Sequence, residues 1–227
     1  LRVSLQSPSI GLMSLLLIAC GGDENTGDGD FRVDHAGTIN FPIEANSPRS
    51  CQDGQGRLHV VWYDARQDVN AIYYNRSANG GATWVIQDIQ LNTPELNGDA
   101  VLPDIACSGE RVYVTWEDHR DGDLENGNIY MNYSGDGGDT FLAKDFAIDA
   151  DEDGDFMSLE PRIVASGTSV YVAWFDSQYG AYDIFLNSST DGGATWLPNP
   201  VRVDSGEAGS GYSAHPVLAA NPDGNVV

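Results

Sequence analysis

The sequence predicts an all-β protein made of repeated four-stranded units, and three observations lead to this prediction. Nearly identical stretches begin at Ser77, Ser134 and Ser189, at intervals of 57 and 55 residues. The segments before them are short, rich in Val, Ile, Tyr and Trp, and bounded by Gly, Asp and Asn, as β-strands are. Outside the N-terminus, no stretch shows the 3.6-residue hydrophobic periodicity of an amphipathic helix. A fixed period of this size indicates supersecondary units that bury their hydrophobic faces against one another.

Each unit contains the same four predicted strands in the same order. The first strand follows a proline, the second ends in Trp-x-Asp, the third ends in Asn, and the repeated stretch makes the turn into the fourth. The Asn-x-Ser ends match glycosylation acceptors, but their recurrence at one strand position favours a scaffold role. The markers are Pro48, Pro103 and Pro161; Trp62, Trp116 and Trp174; and Asn75, Asn132 and Asn187.

Antiparallel four-stranded units of this period are typical of β-propeller blades. We expect six blades in the full protein, of which this sequence contains three complete blades and the start of a fourth. The predicted blades lie at residues 48–102, 103–160, 161–215 and, truncated, 216–227.

A fourth-strand sequence also occurs before the first blade. Residues 31–34 read Phe-Arg-Val-Asp and match Val-Arg-Val-Asp at residues 201–204. We interpret residues 31–34 as an orphan strand that completes the last blade and closes the ring, so the propeller region begins at residue 31.

The repeated stretches have the composition of tight turns. Gly-Gly supplies positive φ angles, a short Asp or Asn side chain accepts nearby backbone N–H groups, and the terminal aromatic residue buries a large apolar surface. We therefore assign a structural role to the fixed positions of the three turns. These residues are Ser77, Asn79, Gly81 and Trp84; Ser134, Asp136, Gly138 and Phe141; and Ser189, Asp191, Gly193 and Trp196.

The pattern Ser-x-Asp-x-Gly-x-Thr-Trp resembles the Asp-box, and the repeats are similar to sialidase-like β-propellers of the bacterial neuraminidase repeat type over residues 31–227. Asn79 and Phe141 depart from the pattern but keep the side-chain role. The resemblance implies a substrate site on the face opposite to the boxes. In a sialidase, three arginines hold the substrate carboxylate, a Tyr–Glu pair is the nucleophile and an Asp is the acid/base.

The second strands end on that face, and the residues after their tryptophans are the candidates for ligand binding. Arg66 and Arg120 match two arginines of such a clamp, since a guanidinium binds a carboxylate bidentately, whereas Gln178 stands in the third position. Because Asp-x-Arg recurs with the repeat, the alternative is a local Asp–Arg pair that braces each blade. The catalytic residues stay unassigned, and we expect a Tyr–Glu pair, if there is one, in the C-terminal part of the full protein that this sequence does not contain. The candidates are Asp64, Arg66, Asp118, His119, Arg120 and Asp176.

One acidic segment matches a calcium-binding loop. Residues 149–160 fit Asp-x-Asp-x-Asp-Gly-x5-Glu, in which carboxylates at positions one, three and five and a closing Glu at position twelve bind a hard cation. The alternative is an acidic loop between blades without a metal. Calcium is the one cofactor that we consider, and its candidate ligands are Asp149, Asp151, Asp153, Asp155 and Glu160.

Residues 1–19 read as a lipoprotein signal peptide. Arg2 precedes a short apolar run that ends in Leu-Ile-Ala-Cys20, which resembles the bacterial lipobox with its lipidated cysteine, and residues 20–30 read as a flexible acidic tether. A plain cleaved signal peptide is the alternative. We expect export and a lipid anchor at Cys20 in the bacterial cell envelope, at the outer membrane or cell surface, with no other membrane contact.

The overall charge restricts the partners. The net charge is −23, with 34 acidic and 11 basic residues, which opposes binding to nucleic-acid phosphates or anionic lipids and weighs against anionic sugars. An exported protein permits a disulfide between Cys51 and Cys107. However, the two cysteines lie three and four residues after their prolines, and this offset does not predict disulfide geometry, so the pairing stays open.

These observations predict an exported, lipid-anchored propeller that recognises glycans or extracellular proteins through its loop face. One alternative is an exo-sialidase-type glycoside hydrolase that works through two carboxyl-type groups. Another is a structural assembly module that uses the blades as a docking surface.

Overall fold

The computed structural model describes residues 2–4, 16–18, 31–34, 44–93, 98–120, 127–149 and 156–221. Every regular element within these residues is a β-strand, and the fifteen strands form four sheets. Across the same ranges we find no helix that is long and apolar enough to cross a membrane.

A small antiparallel sheet contains the first three strands. Strands β1 (Arg2–Ser4), β2 (Leu16–Ile18) and β3 (Phe31–Arg32) are arranged in the order β2-β1-β3. Cys20 and the tether at residues 20–30 lie outside the described residues, so the signal peptide and the lipid anchor remain predictions.

Three four-stranded antiparallel sheets make up the rest and are the predicted blades. In each blade the strands lie side by side in chain order, from an innermost first strand to a short outer fourth strand. This confirms an all-β propeller with four-stranded blades. Blade 1 contains β4 (Asn46–Gln52), β5 (Leu58–Asp64), β6 (Ala71–Ser77) and β7 (Ile89–Gln90); blade 2 contains β8 (Ala100–Ser108), β9 (Arg111–Asp118), β10 (Asn128–Ser134) and β11 (Phe146–Ala147); and blade 3 contains β12 (Ser158–Ser166), β13 (Ser169–Asp176), β14 (Asp183–Ser189) and β15 (Val201–Arg202).

The hydrophobic cores lie between neighbouring blades. Trp62, Trp116 and Trp174 are completely buried, and each occupies the same place in its blade. Trp116 packs in one cluster with Leu91 at the end of blade 1, and Trp174 packs in another with Ile148 at the end of blade 2. Burial of an indole of this size contributes several kcal/mol, so these residues join the blades.

Before blade 1, the segment predicted as an orphan strand takes the place that Leu91 and Ile148 take before blades 2 and 3. Val33 is completely buried and packs in one cluster with Trp62. In every blade the third-strand Asn donates from Nδ2 to the backbone oxygen of the residue in this position. The pairs are Asn75 with Val33 at 3.5 Å, Asn132 with Leu91 at 3.1 Å, and Asn187 with Ile148 at 2.8 Å. Val33 therefore matches the end of a fourth strand, while closure of the ring remains a prediction.

A disulfide joins Cys51 and Cys107 and answers the question that the sequence left open. The two Cα atoms are 5.8 Å apart, on the innermost strands β4 and β8 of neighbouring blades. The offset from the prolines was a poor guide because a bridge between adjacent strands requires only neighbouring Cβ atoms, not equivalent repeat positions.

We expect the C51S/C107S double variant to be less stable than the wild type by about 2–4 kcal/mol, since the bridge closes a long loop in the unfolded chain. Urea denaturation measures the free energy of unfolding. A reductant should destabilise the wild type and leave the double variant unchanged. Equal stability of the two proteins under oxidising conditions would contradict a bridge that stabilises the fold.

A buried histidine lies on the side of the repeated turns. His59 Nδ1 is 2.6 Å from the Tyr74 hydroxyl, and Nε2 is 3.3 Å from the Asp53 carboxylate, which also pairs with Arg57 at 2.5 Å. Burial lowers the pKa of His59 from 6.5, and the hydrogen bond with Asp53 offsets only part of this effect. The neutral imidazole is therefore the form that the folded state favours.

Because the folded pKa of His59 lies below its unfolded value of 6.5, the stability contributed by the neutral ring is present above that value and is lost as the pH falls. We expect the free energy of unfolding to decrease between about pH 7 and about pH 5, and His59→Gln to reduce this slope. Urea titrations at several pH values measure it. An unchanged slope in His59→Gln would show that other groups account for the acid sensitivity.

Candidate functional site

The three repeated turns are closed by their own side chains. In each turn the Ser hydroxyl donates to a side-chain oxygen of the Asn or Asp two residues later, and it accepts the N–H of the second glycine. In the second turn, Ser134 lies 2.7 Å from Asp136 Oδ1 and 2.8 Å from the Gly138 nitrogen. The Thr140 hydroxyl and N–H groups lower the pKa of Asp136 to about 2. A Cβ on Gly138, where φ is 77°, would lie 1.7 Å from the Tyr74 hydroxyl, so this turn also seats against blade 1. These side chains are used by the scaffold.

The second strands end on the opposite face, where each buried Trp is tied to the Asp two residues later. The indole N–H groups of Trp62, Trp116 and Trp174 donate to these carboxylates at 2.9, 2.8 and 3.2 Å. The acceptors Asp64, Asp118 and Asp176 are buried. A buried carboxylate needs further donors or a cation, and the blades provide these in two different ways.

In blade 1 the compensating cation is Arg66. Its Nε and Nη2 donate to Asp64 at 2.9 and 2.6 Å, and its Nη1 donates to Asp88 at 2.8 Å. The guanidinium carbon also lies 3.7 Å from the centre of the Tyr73 ring. Burial lowers the pKa of Arg66, but the two carboxylates raise it by more, so the net shift of the pKa is upward.

Blade 2 repeats this arrangement. Arg120 donates to Asp118 from Nε at 2.8 Å and from Nη2 at 2.7 Å, and it pairs with Asp145 as well. Its guanidinium carbon lies 3.7 Å from the centre of the Tyr130 ring. Asp145 also accepts the Thr93 N–H and hydroxyl groups of blade 1, so the network crosses the blade boundary.

Blade 3 lacks both members of the ion pair. Gln178 replaces the arginine, and Pro200 occupies the position before the fourth strand that Asp88 and Asp145 hold. Asp176 instead accepts the Gln178 backbone N–H at 2.8 Å and the Ser158 hydroxyl at 2.7 Å. The arginine and its second carboxylate thus occur together or not at all, as a brace requires.

The geometry of Arg66 and Arg120 is that of a brace between the second and fourth strands. Their side chains are only 13% and 10% exposed, and each guanidinium is engaged by two carboxylates and an aromatic ring. A substrate carboxylate would have to displace these partners and leave buried negative charge behind.

His119 belongs to a different group of side chains; the sequence singled out His119 and Glu160 separately but not the group that they form. Its Nε2 is 2.8 Å from Glu117 Oε1, and Glu117 Oε2 accepts the Glu160 backbone N–H at 3.1 Å from the innermost strand of blade 3. Glu117 stands between Trp and Asp, where the other blades have Tyr63 and Phe175. This break in an otherwise apolar repeat position was the signal that could have revealed it.

Glu160 extends the group towards the fourth unit. Its carboxylate is 2.8 Å from His215 Nδ1 and 3.6 Å from Arg162 Nη2. The Phe175 ring lies beside the His215 ring and edge-on to Tyr182, and Tyr182 in turn meets the exposed Tyr212. We call this set the axial cluster: Glu117, His119, Glu160, Arg162, His215, Phe175, Tyr182 and Tyr212.

The candidate calcium ligands fall into three environments. Asp149 accepts the Ile129 N–H at 2.6 Å, as Asn92 and Asp204 do for the equivalent N–H groups in their blades. Glu160 belongs to the axial cluster. Asp151, Asp153 and Asp155 lie outside the described residues, and the described ones contain no group of three potential metal ligands. Calcium binding remains a prediction, and Asp149 has a scaffold role without it.

No protein-family profile and no curated protein sequence matches this chain. Among solved structures, it is similar to an alpha-L-arabinanase of Penicillium chrysogenum complexed with arabinobiose, with 17% identity, a TM-score of 0.58 and coverage of 80% of this chain and 56% of that one. It is also similar to a GH93 alpha-L-arabinofuranosidase of Fusarium graminearum with arabinobiose, with 16% identity, a TM-score of 0.58 and coverage of 79% of this chain and 54% of that one. A third similar structure is a Hadza microbial sialidase, with 14% identity, a TM-score of 0.53 and coverage of 67% of this chain and 36% of that one.

The chain therefore spans between about a third and just over half of the lengths of these structures. At such identities the likeness shows the β-propeller fold and nothing finer.

We expect Arg120→Gln to lower the free energy of unfolding by about 3–5 kcal/mol, because it leaves Asp118 and Asp145 with uncompensated buried charge. The matched control is Gln178→Ala, at the same repeat position in blade 3, which should change stability by less than about 1 kcal/mol. Urea denaturation compares the two. An Arg120→Gln protein as stable as the control would contradict the brace.

Proposed function

We propose that the protein recognises a neutral glycan on the face opposite to the repeated turns. The observation that carries this proposal is the axial cluster, which combines carboxylates, imidazoles and a guanidinium with aromatic rings. It lies where the second strand of blade 2 and the innermost strand of blade 3 meet the fourth unit. These groups are not explained by the repeat, whereas the braces and turns are.

The chemistry of the axial cluster suits sugar hydroxyls. Carboxylates accept hydrogen bonds, the Arg162 guanidinium donates them, and the imidazoles of His119 and His215 do either according to tautomer. Tyr212 is 71% exposed and offers an aromatic face and a hydroxyl to a sugar ring. Sites for small molecules typically combine such apolar surfaces with a few oriented polar groups.

A neutral ligand fits the charges better than a sialic acid does. Arg66 and Arg120 are engaged in braces, and Gln178 stands in the third position. The arginines nearer the axis also face acids, with Arg162 at 3.6 Å from Glu160 and Arg49 at 3.8 Å from Asp104. With a net charge of −23, the chain repels an anionic ligand at long range as well.

The solved structures with a similar fold support a carbohydrate ligand, since two of them are complexes with the neutral disaccharide arabinobiose. We also propose that the protein is exported and anchored through a lipid on Cys20 in the bacterial cell envelope, because residues 1–20 resemble a lipoprotein signal peptide with its lipobox. Such a location would present the axial cluster to extracellular glycans.

Glycoside hydrolysis is the second candidate, and Asp104 favours it. This residue lies on the innermost strand of blade 2, and burial raises the pKa of its carboxyl group. Its carboxyl group accepts the Ile163 N–H at 3.0 Å, on the innermost strand of blade 3 that also carries Glu160, and glycosidases use two carboxyl groups of which one has a raised pKa. Release of nitrophenol from nitrophenyl arabinofuranoside tests it, and an Asp104→Asn variant should abolish any release.

Isothermal calorimetry with arabinobiose, lactose and sialyllactose tests glycan recognition. We expect binding of at least one of the neutral sugars, and Glu160→Gln should weaken it about tenfold or more because a charged acceptor is lost. Glu110→Gln changes an exposed carboxylate on the opposite face and should bind like the wild type. Binding of sialyllactose alone would favour the sialidase alternative, and binding of none of the three sugars would refute the proposal.

A further inference from the structure

Five residues other than glycine have a positive φ angle in the described part of the chain, and four of them share one repeat position. Their φ angles are 46°, 50°, 49° and 56° for Ser47, Leu102, Glu160 and His215, and 71° for Asp68. The first four each precede a proline, three of them in the first strands β4, β8 and β12 and His215 in the segment after β15, whereas Asp68 lies in the loop between β5 and β6.

This backbone conformation is unfavourable for these side chains. A Cβ atom crowds the backbone in the left-handed region, and a following proline restricts the residue before it further. Glycine would remove the strain, yet the four positions hold Ser, Leu, Glu and His. Strain of this kind persists where the surrounding structure holds it, and it is found preferentially at ligand sites.

Three of these residues, Ser47, Leu102 and Glu160, lie in β-bulges of the innermost strands. The pairing with the second strand is interrupted between Asn46 and Arg49, between Val101 and Asp104, and between Leu159 and Arg162. Each bulge frees the pre-proline residue from the ladder and redirects its side chain.

Two members of the set already meet at the axial cluster. Glu160 and His215 come from neighbouring units, and their side chains are 2.8 Å apart. His215 also lies 5.8 Å from the centre of the Phe175 ring, and the Glu160 N–H binds Glu117. The pre-proline position is therefore the place from which successive units reach a shared centre.

We infer that the four pre-proline residues form the inner rim of the proposed glycan site and determine which sugar it accepts. The inference rests on the proposed function and names the residues that contact the ligand and determine its specificity. The three blades share the proline and the bulge, and the fourth unit shares the proline. The side chain before the proline differs in all four, so the scaffold is constant and the contact varies. Ser47, Glu160 and His215 exchange hydrogen bonds with hydroxyl groups, and Leu102 contacts the apolar face of a sugar.

The test replaces strained residues by glycine and follows both stability and binding. Ser47→Gly relieves the left-handed backbone with a small loss of packing, so its melting temperature should not fall below that of the wild type. Its affinity for the neutral sugar that the wild type binds, arabinobiose or lactose, should fall about fivefold or more. Asp68→Gly is the control with the same backbone conformation outside the rim, and its affinity should not change.

His215→Gly provides a second case, because its side chain is 69% exposed and its loss leaves no internal cavity. We expect it to melt at or near the wild-type temperature and to lose affinity as Ser47→Gly does. If the wild type binds arabinobiose or lactose and both rim variants bind as well as Asp68→Gly, the rim is refuted and glycan recognition stands. If the wild type binds neither sugar, the proposed function and the rim are both refuted.

Discussion

The structure depends on one requirement, which is that a buried indole N–H must have an acceptor. Each blade buries a tryptophan against the segment that precedes it, and the indole N–H donates to the Asp two residues later in the same strand. This places a carboxylate in the interior, where it needs compensation in turn. Arg66 and Arg120 supply it in two blades, and hydrogen bonds to Asp176 supply it in the third.

This dependence separates the scaffold from the chemistry. A side chain that recurs with the repeat and is bonded inside its blade cannot easily turn to a ligand, since its departure leaves a buried partner uncompensated. We therefore expect ligand-binding or catalytic side chains at positions where the residue differs from its equivalents in the other units. Glu117 replaces an aromatic residue, and Glu160 and His215 stand at a position whose backbone conformation recurs while its side chain differs between units.

The sequence predicted the blades and the turns because these follow from local patterns that occur three times. It could not decide between a clamp and a brace for Arg66 and Arg120. Their second carboxylates, Asp88 and Asp145, lie 22 and 25 residues further along the chain and become neighbours only when the fourth strand folds back. The axial cluster was missed for the same reason, since Glu117 and the Glu160 N–H meet across 43 residues and two blades.

The pairing of charges also explains why we propose a neutral ligand for so acidic a chain. With 34 acidic and 11 basic residues, the positive charges are scarce, and the braces place two of them in the interior. What remains near the axis is a mixture of acids, imidazoles and arginines that already face one another, such as Arg162 with Glu160 and Arg49 with Asp104. A hydroxyl group can join such pairs as donor and acceptor at once, whereas an added carboxylate must compete with the acids already there.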